Sequence, residues 1–271
     1  MAIQTYGKVI KNRRIKSLYF LLEIDCPPIA SEMKAGQFIM LKTSADGYPL
    51  LRRPFSVYKN YPPDHPDREK RGRLAILYKK VGKGTGKMSE FRRGQKVDLI
   101  GPLGNGFSLP PLSSSTPIVL IGGGVGIVSL YSLAEASGRA KTVAFIGGKT
   151  RNDLLCVEDF KKLRSSIFIA TEDGSLGFKG TVIDLFLFLQ DKFGGDLPHY
   201  LYACGPLLML AELSRVVKPK KFISQVSLET RMACGLGACW GCVVKTNHPK
   251  TAYQRVCKEG PVFHLEDIVW E

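Results

Sequence analysis

Along the first hundred residues, apolar positions fall in short β-branched or aromatic runs broken by turn signals: TYGKVI, SLYFLLEI, GQFIMLK, LLRRPFSVY, RLAILYKKV and QKVDLIG. That rhythm predicts a small antiparallel β-barrel. KNYPPDHPDREKRG, residues 59 to 72, is too rich in proline and charge for a strand and predicts a long, mobile, exposed hairpin loop. PPLSSST, 110 to 116, predicts a linker. After it the pattern changes to strands and helices in alternation: PIVLIGG, a helix through Leu130 to Ala136, TVAFIGG, a helix near VEDFKKL, SIFIAT, a helix from Val182 to Leu189, YLYACG and a helix from Leu207 to Val217. Such alternation predicts a doubly wound parallel sheet with helices on both faces. From about Phe222 it stops and a cysteine cluster begins. The expected organisation is therefore multidomain, α+β followed by α/β: residues 1–110, 111–222 and a small carboxy-terminal unit, 223–271.

A length of 271 residues with 44% hydrophobic content is enough for two compact domains and a small appendage. No window approaches the roughly 18 to 20 apolar residues of a membrane span. The amino terminus, MAIQTYGKVIKNRRIK, lacks the apolar core of a signal peptide. The expected location is the cytoplasm, with no membrane contact, where thiols stay reduced and clustered cysteines are metal ligands or catalytic groups rather than disulfides. The net charge of +15 is spread along the chain, and its densest run, DREKRGR, is interrupted by acids. It suits small anionic cofactors or an acidic partner as well as it suits nucleic acid, and no nucleic-acid partner is expected.

Four of the seven cysteines, Cys234, Cys239, Cys242 and Cys257, are spaced x4, x2 and x14. Structural zinc sites usually pair two C-x2-C knuckles, or cysteines with histidines, whereas C-x4-C-x2-C with a distant fourth cysteine is the plant-type 2Fe-2S arrangement. Gly235, Gly237, Ala238 and Gly241 let backbone approach the sulfurs and aim N–H groups at them. Zinc and simple packing stay open as alternatives. Cys26 and Cys156 are expected to be inert packing residues.

The loop Gly122, Gly123, Gly124, Val125, Gly126 lies at the first strand-to-helix turn of the second domain, where backbone can pass close to a pyrophosphate at a helix N-terminus. It is off the standard dinucleotide register, since Ile127 stands where a third glycine would fall, and a plain tight turn explains it equally. A one-electron cluster beside a nucleotide domain calls for a flavin, which exchanges both hydride and single electrons. Arg53, Pro54, Phe55 and Ser56 offer a cation, an aromatic and a hydroxyl for one, and GKGTGKMS, 82 to 89, a donor-rich loop for its pyrophosphate.

RPFS, GKGT, GPLGNGF, GGGVG and YACGP together resemble the ferredoxin-reductase superfamily, and with ETRMACGLGACWGC and VCKEGPVF the whole chain is similar to the electron-transfer subunits of class 1B dihydroorotate dehydrogenases. The resemblance implies FAD, a 2Fe-2S cluster and NAD as cofactors. It places Arg53 near the flavin phosphate and Phe55 or Ser56 near the isoalloxazine. Leu77, Tyr78 and Lys79 would line that site, and Gly84 and Thr85 would bind the pyrophosphate. Gly122, Gly123, Gly124 and Gly126 would receive the nicotinamide nucleotide, and Cys204 would lie near the nicotinamide or be a buried cysteine at that turn. Glu172 and Asp173 follow a strand end; an acid there disfavours a 2′-phosphate and so favours NAD over NADP. Two features depart from the family: Ile127-Val128-Ser129 where proline usually opens the helix, and a long 59 to 72 loop.

The implied activity is a relay in pyrimidine biosynthesis, as an NAD-linked oxidoreductase subunit. A separate FMN-containing dihydroorotate dehydrogenase catalytic subunit oxidises dihydroorotate, and its electrons reach NAD+ through the cluster and FAD, in an assembly of two of each chain. No eight-fold βα barrel is present to do the orotate chemistry, so a partner is required. Met232, Leu236 and Trp240 would form a docking patch or a cover over the cluster. Two alternatives stay open: a related subunit exchanging electrons with ferredoxin or a sulfur-metabolising partner, and a zinc-bearing nucleic-acid-binding module.

Overall fold

The computed structural model describes residues 2–44, 47–110, 117–138, 140–190, 199–217 and 222–270. The first unit is a seven-stranded antiparallel sheet curled around its own core. Its strands are β1 (Ile3–Lys16), β2 (Tyr19–Asp25), β3 (Phe38–Leu41), β4 (Arg53–Ser56), β5 (Lys59–Tyr61), β6 (Arg73–Lys79) and β7 (Lys96–Leu103), in the order β4-β3-β7-β1-β2-β6-β5. Short helices α1 (Pro27–Ala30) and α2 (Lys83–Met88) interrupt it. Strand β1 runs well past TYGKVI: register shifts at Val9/Lys11 and Arg14/Lys16 bend it so that it pairs with both β7 and β2. Val9, Leu22, Ile24, Ile39, Leu41 and Tyr78 fill the interior.

The 59 to 72 segment differs from expectation. Its first three residues form β5, paired antiparallel with β6 in the register Lys59↔Ala75, Asn60↔Leu74, Tyr61↔Arg73. An edge strand needs only one partner and tolerates the prolines that follow it, Pro62 and Pro63. Asn60 is fixed further, donating to the Ala30 carbonyl at 2.9 Å. Residues 68 to 70 add a 3-10 turn capped by Asp67, which accepts from the Glu69 N–H at 3.1 Å.

The second sheet has the order β11-β10-β9-β8-β12-β13-β16. Strands β8 (Ile118–Gly123), β9 (Thr142–Gly148), β10 (Ser166–Thr171), β11 (Phe178–Lys179), β12 (His199–Cys204) and β13 (Phe222–Ser227) run parallel. Helices α3 (Ile127–Ala136) and α4 (Val157–Lys162) cover the face that meets the barrel, and α5 (Val182–Leu189) and α6 (Leu207–Val216) the other. Helix α3 begins three residues earlier than Leu130, straight out of the glycine loop, because Ile127 and Val128 are buried there. Helix α5 is set by its cap: the Thr181 hydroxyl accepts from the Asp184 N–H at 3.1 Å, and Asp184 accepts from the Thr181 N–H at 2.8 Å. The parallel pattern also runs one strand beyond expectation, since β13 starts at Phe222. The linker expected at 110 to 116 falls, from 111 onward, outside the described residues.

The carboxy-terminal segment pairs β14 (Val243–Lys245) with β15 (Tyr253–Arg255) and sends β16 (Val262–His264) back antiparallel onto β13. Cys242, Val256 and Cys257 are continuous with an apolar core that includes Phe38, Met40 and Leu103 of the barrel. Two polar clamps close the seam between barrel and parallel sheet. Asp153 accepts from the Tyr19 hydroxyl at 2.6 Å and the Lys79 ammonium at 3.0 Å; Asp159 accepts from Tyr58 at 2.6 Å and Lys59 at 2.9 Å. Among the described residues, no helix is long and apolar enough to cross a membrane.

Candidate functional site

The cysteine loop follows β13. Gly235 and Gly237 take φ of +72° and +82°, and Trp240, with φ +55°, holds the same left-handed conformation at a cost in strain. These reversals turn backbone N–H groups inward: Leu236 N–H donates to Cys234 Sγ at 3.4 Å, and Gly237 N–H to Cys257 Sγ at 3.1 Å. The sulfurs are brought together as two pairs, Cys234 with Cys239 and Cys242 with Cys257. Among the described residues no three ligands close around a single metal ion. Four cysteines drawn into one loop at spacings x4, x2 and x14 fit a two-iron cluster. Burial pushes the Cys234 thiol up, but the N–H groups of Leu236, Cys239 and Ala238 outweigh it and bring it down to about 6. Burial and the neighbouring Cys242 push Cys257 up to about 12.

The loop is seated on the barrel. A Cβ on Gly235 would lie 2.4 Å from Met40 Cγ, so the backbone rests against that side chain. Met40 pairs directly with Pro54 across β3 and β4. The cysteine loop is thus one side chain away from the strand Arg53–Ser56. Asn105 fastens the same region, donating through its backbone N–H to the Gly260 carbonyl at 2.6 Å and through its amide to the Glu259 carbonyl at 2.9 Å.

On β4 all four residues are half-buried. Phe55 meets Tyr78 edge-on at 6.1 Å, and the Ser56 hydroxyl makes no hydrogen bond among the described residues. Arg53 donates to the Leu51 carbonyl at 2.7 Å and lies beside Gly84, where a Cβ would come within 3.2 Å of Arg53 Nε and 3.4 Å of the Thr43 hydroxyl. Among the described residues that hydroxyl is buried without a partner. A cation, an orphaned hydroxyl and a bare glycine backbone make a cradle that fits a flavin phosphate. The other predicted flavin residues are placed differently. The Thr85 hydroxyl is taken up by its own loop, accepting from the N–H of Val81 at 2.9 Å and Gly82 at 3.2 Å. Leu77 faces the parallel-sheet domain, Tyr78 lies in the barrel core donating to Asn12 at 3.2 Å, and Lys79 is bound to Asp153.

The glycine loop is explained largely by packing. Cβ atoms would strike Ile127 at 2.5 Å from Gly122, Met209 Sδ at 2.7 Å from Gly123 and the Cys204 carbonyl at 2.3 Å from Gly126. Gly124 alone of the four, with φ +55°, faces open space, and it is the position a bound pyrophosphate could approach. Cys204 is buried, its thiol in hydrogen-bonding contact with Ser129 and Ser227, and burial pushes it up to about 12, so it carries no thiolate near neutral pH. Glu229, exposed at the surface, raises that thiol further. Of the two predicted acids, Asp173 is spent on its own turn, accepting from the Ser175 N–H at 2.9 Å and its hydroxyl at 2.6 Å, while Glu172 is exposed.

A cavity of about 910 Å³ lies in the seam between the two clamps, lined by Arg13, Leu21, Arg151, Leu154 and, of the predicted site residues, Leu77 alone. Sequence reasoning missed Met40, Thr43, Asn105 and Glu229, whose roles depend on contacts with distant segments. It also missed Arg255 and Glu259, although a cation and an acid four residues apart beside a cysteine were a visible signal.

Residues 229–269 match the family described as the iron-sulfur cluster binding domain of dihydroorotate dehydrogenase B. The chain is 36% identical over 268 residues, 98% of both chains, to the dihydroorotate dehydrogenase B (NAD(+)) electron transfer subunit of Desulforamulus reducens. It is 37% identical over 244 residues, 89% of both, to that of Bacillus caldolyticus. Among solved structures it resembles an NADH-dependent reduced ferredoxin-NADP oxidoreductase studied for flavin-based electron bifurcation, with a TM-score of 0.81 at 28% identity over 97% of this chain and 90% of that one. The cytochrome b5 reductase domain of Ulva prolifera nitrate reductase, with a TM-score of 0.62 at 17% identity over 82% of this chain and 97% of that domain, shares the fold. With relatives this similar along nearly its whole length, the chain belongs to the family of dihydroorotate dehydrogenase B (NAD(+)) electron transfer subunits.

Proposed function

We propose that this chain carries electrons between an FMN-containing dihydroorotate dehydrogenase catalytic subunit and NAD+, as the FAD- and 2Fe-2S-bearing subunit of a complex with two of each chain, acting in pyrimidine biosynthesis in the cytoplasm. The observation that carries it is the seating of the cysteine loop: Gly235 rests on Met40, and Met40 pairs with Pro54 in the strand offered to the flavin. When bound, the flavin supplies the junction between hydride exchange with the nicotinamide and one-electron exchange with the cluster.

Each segment of the chain has its task in that scheme. Residues 1–110 hold FAD: Arg53, Thr43 and the backbone at Gly84 and Thr85 bind phosphate. Pro54, Phe55 and Ser56 lie along the ring with Tyr78 behind Phe55, while Leu77 and Lys79 point from the same strand into the seam with the parallel sheet. Residues 111–222 hold NAD. Gly124 faces the pyrophosphate, Gly122, Gly123 and Gly126 shape the turn, and buried Cys204 supports the nicotinamide end. Exposed Glu172 repels a 2′-phosphate, and Asp173 shapes its loop. Residues 223–271 hold the cluster, for which Cys234, Cys239, Cys242 and Cys257 would be the four ligands, while strands β13 and β16 tie this unit into the parallel sheet. Leu236 and Trp240, both about half exposed at 51% and 54%, face the catalytic partner.

The test is made on the copurified complex of both subunits. Dihydroorotate-dependent reduction of NAD+ is expected in the wild type and lost in Cys257→Ser, while NADH still bleaches the flavin of that variant. A Cys257→Ser complex with undiminished dihydroorotate:NAD+ activity contradicts the proposal. A wild-type chain that copurifies with a ferredoxin and no dehydrogenase favours the reading its 28% likeness to a ferredoxin oxidoreductase supports.

A further inference from the structure

Arg255 joins the pieces of the cysteine loop that the chain itself keeps apart. Its guanidinium donates to the Gly237 carbonyl at 2.7 Å, between the first and second cysteines. It lies over the Trp240 ring at 4.6 Å, between the second and third. It stands two residues before the fourth. Glu259 holds it in place: one carboxylate oxygen accepts from Arg255 Nε at 3.0 Å and from its backbone N–H at 2.8 Å, the other from Nη2 at 2.5 Å. Gly237 is therefore held through both flanking peptides, its carbonyl accepting from Arg255 and its N–H donating to Cys257 Sγ at 3.1 Å.

We infer that Arg255 is a positioning residue for the cluster: it fixes the loop at Gly237 and Trp240 and holds a guanidinium on the residue whose N–H meets Cys257 Sγ, raising the reduction potential of the cluster. This rests on the assignment of the four cysteines as its ligands. One-electron reduction of the bound cluster would take one iron from ferric to ferrous and make the whole cluster more negative by one charge, with no bond made or broken in the protein. A fixed guanidinium favours that state, and hydrogen bonds to sulfur act in the same sense. The guanidinium and the Cys257 sulfur meet at the same residue, the one on the Gly237 carbonyl at 2.7 Å and the other on the Gly237 N–H at 3.1 Å. Lysine would keep the charge but not the planar fork that meets Glu259 twice while stacking on Trp240.

The test is a redox titration of the cluster in the purified holoprotein, followed by electron paramagnetic resonance, with iron per chain measured in parallel. Arg255→Gln is expected to disfavour reduction about tenfold, a fall of about 59 mV for one electron. Arg255→Lys is expected to recover part of the shift. Glu259→Gln, which removes a negative charge and keeps the guanidinium, is expected to move the potential upward. Opposite signs for Arg255→Gln and Glu259→Gln are the signature of charge; a merely loosened loop moves both the same way and overturns the inference, as does an iron-replete Arg255→Gln with wild-type potential. Should Arg255→Gln lose its iron, Glu259→Gln decides: an upward shift supports the inference, and none or a downward one overturns it. A wild-type chain without iron overturns the ligand assignment as well, which separates the two failures.

Discussion

The contacts that matter most here are made by side chains too small to notice. Gly235 has no Cβ because that atom would overlap Met40, and its φ of +72° is one that other residues reach only under strain. Gly235→Ala is expected to cost about 1–3 kcal/mol of stability and to lower iron content by pushing the loop off β3. Urea unfolding and iron analysis check it; an unchanged midpoint with full iron would contradict the seating. The four cysteines were legible in the sequence because a ligand loop is local and its spacing survives in one dimension. Met40 was not, since nothing in GQFIMLK distinguishes the methionine that touches the loop from its apolar neighbours. The glycine loop carried the opposite lesson: three of its four glycines answer to Ile127, Met209 and Cys204, so their presence reported packing as much as nucleotide binding.

At the scale of elements, strands with clean alternation were legible, and so was α5 over Val182 to Leu189. The short edge strand β5 was not, because three residues before two prolines carry no periodicity. It matters beyond its length, for Lys59 on β5 and Tyr58 just before it clamp Asp159 of α4. Burial pushes the Asp159 carboxyl up, but the Tyr58 hydroxyl and Lys59 ammonium outweigh it and hold it below the usual range. A carboxylate depressed in the folded state contributes stability above its unfolded value of about 3.9 and loses it as pH falls through the lower folded value. Asp153, depressed by Tyr19 and Lys79 against its own burial, acts in the same window. Wild-type stability is therefore expected to fall as pH drops below about 5, and Asp159→Asn to fall less steeply there. Thermal unfolding between neutral and acid pH checks this, and parallel curves for the two proteins would contradict it.

For the whole molecule, the order barrel, parallel sheet, cysteine loop could be read along the chain, but the joining of the three could not. Asn105 reaches Glu259 across 154 residues, and β16 returns to pair with β13 after the cysteine loop. Long-range contacts of this kind leave no periodic trace. They bring the cysteines, the strand Arg53–Ser56 and the loop Gly122–Gly126 onto one connected body, which is what a relay requires. The most direct test is an anaerobic visible spectrum of the purified chain before and after NADH. Overlapping flavin and iron-sulfur bands that bleach together on addition are the predicted result. A colourless protein carrying zinc instead of iron, or flavin bands that bleach while the iron-sulfur bands stay oxidised, would contradict the relay.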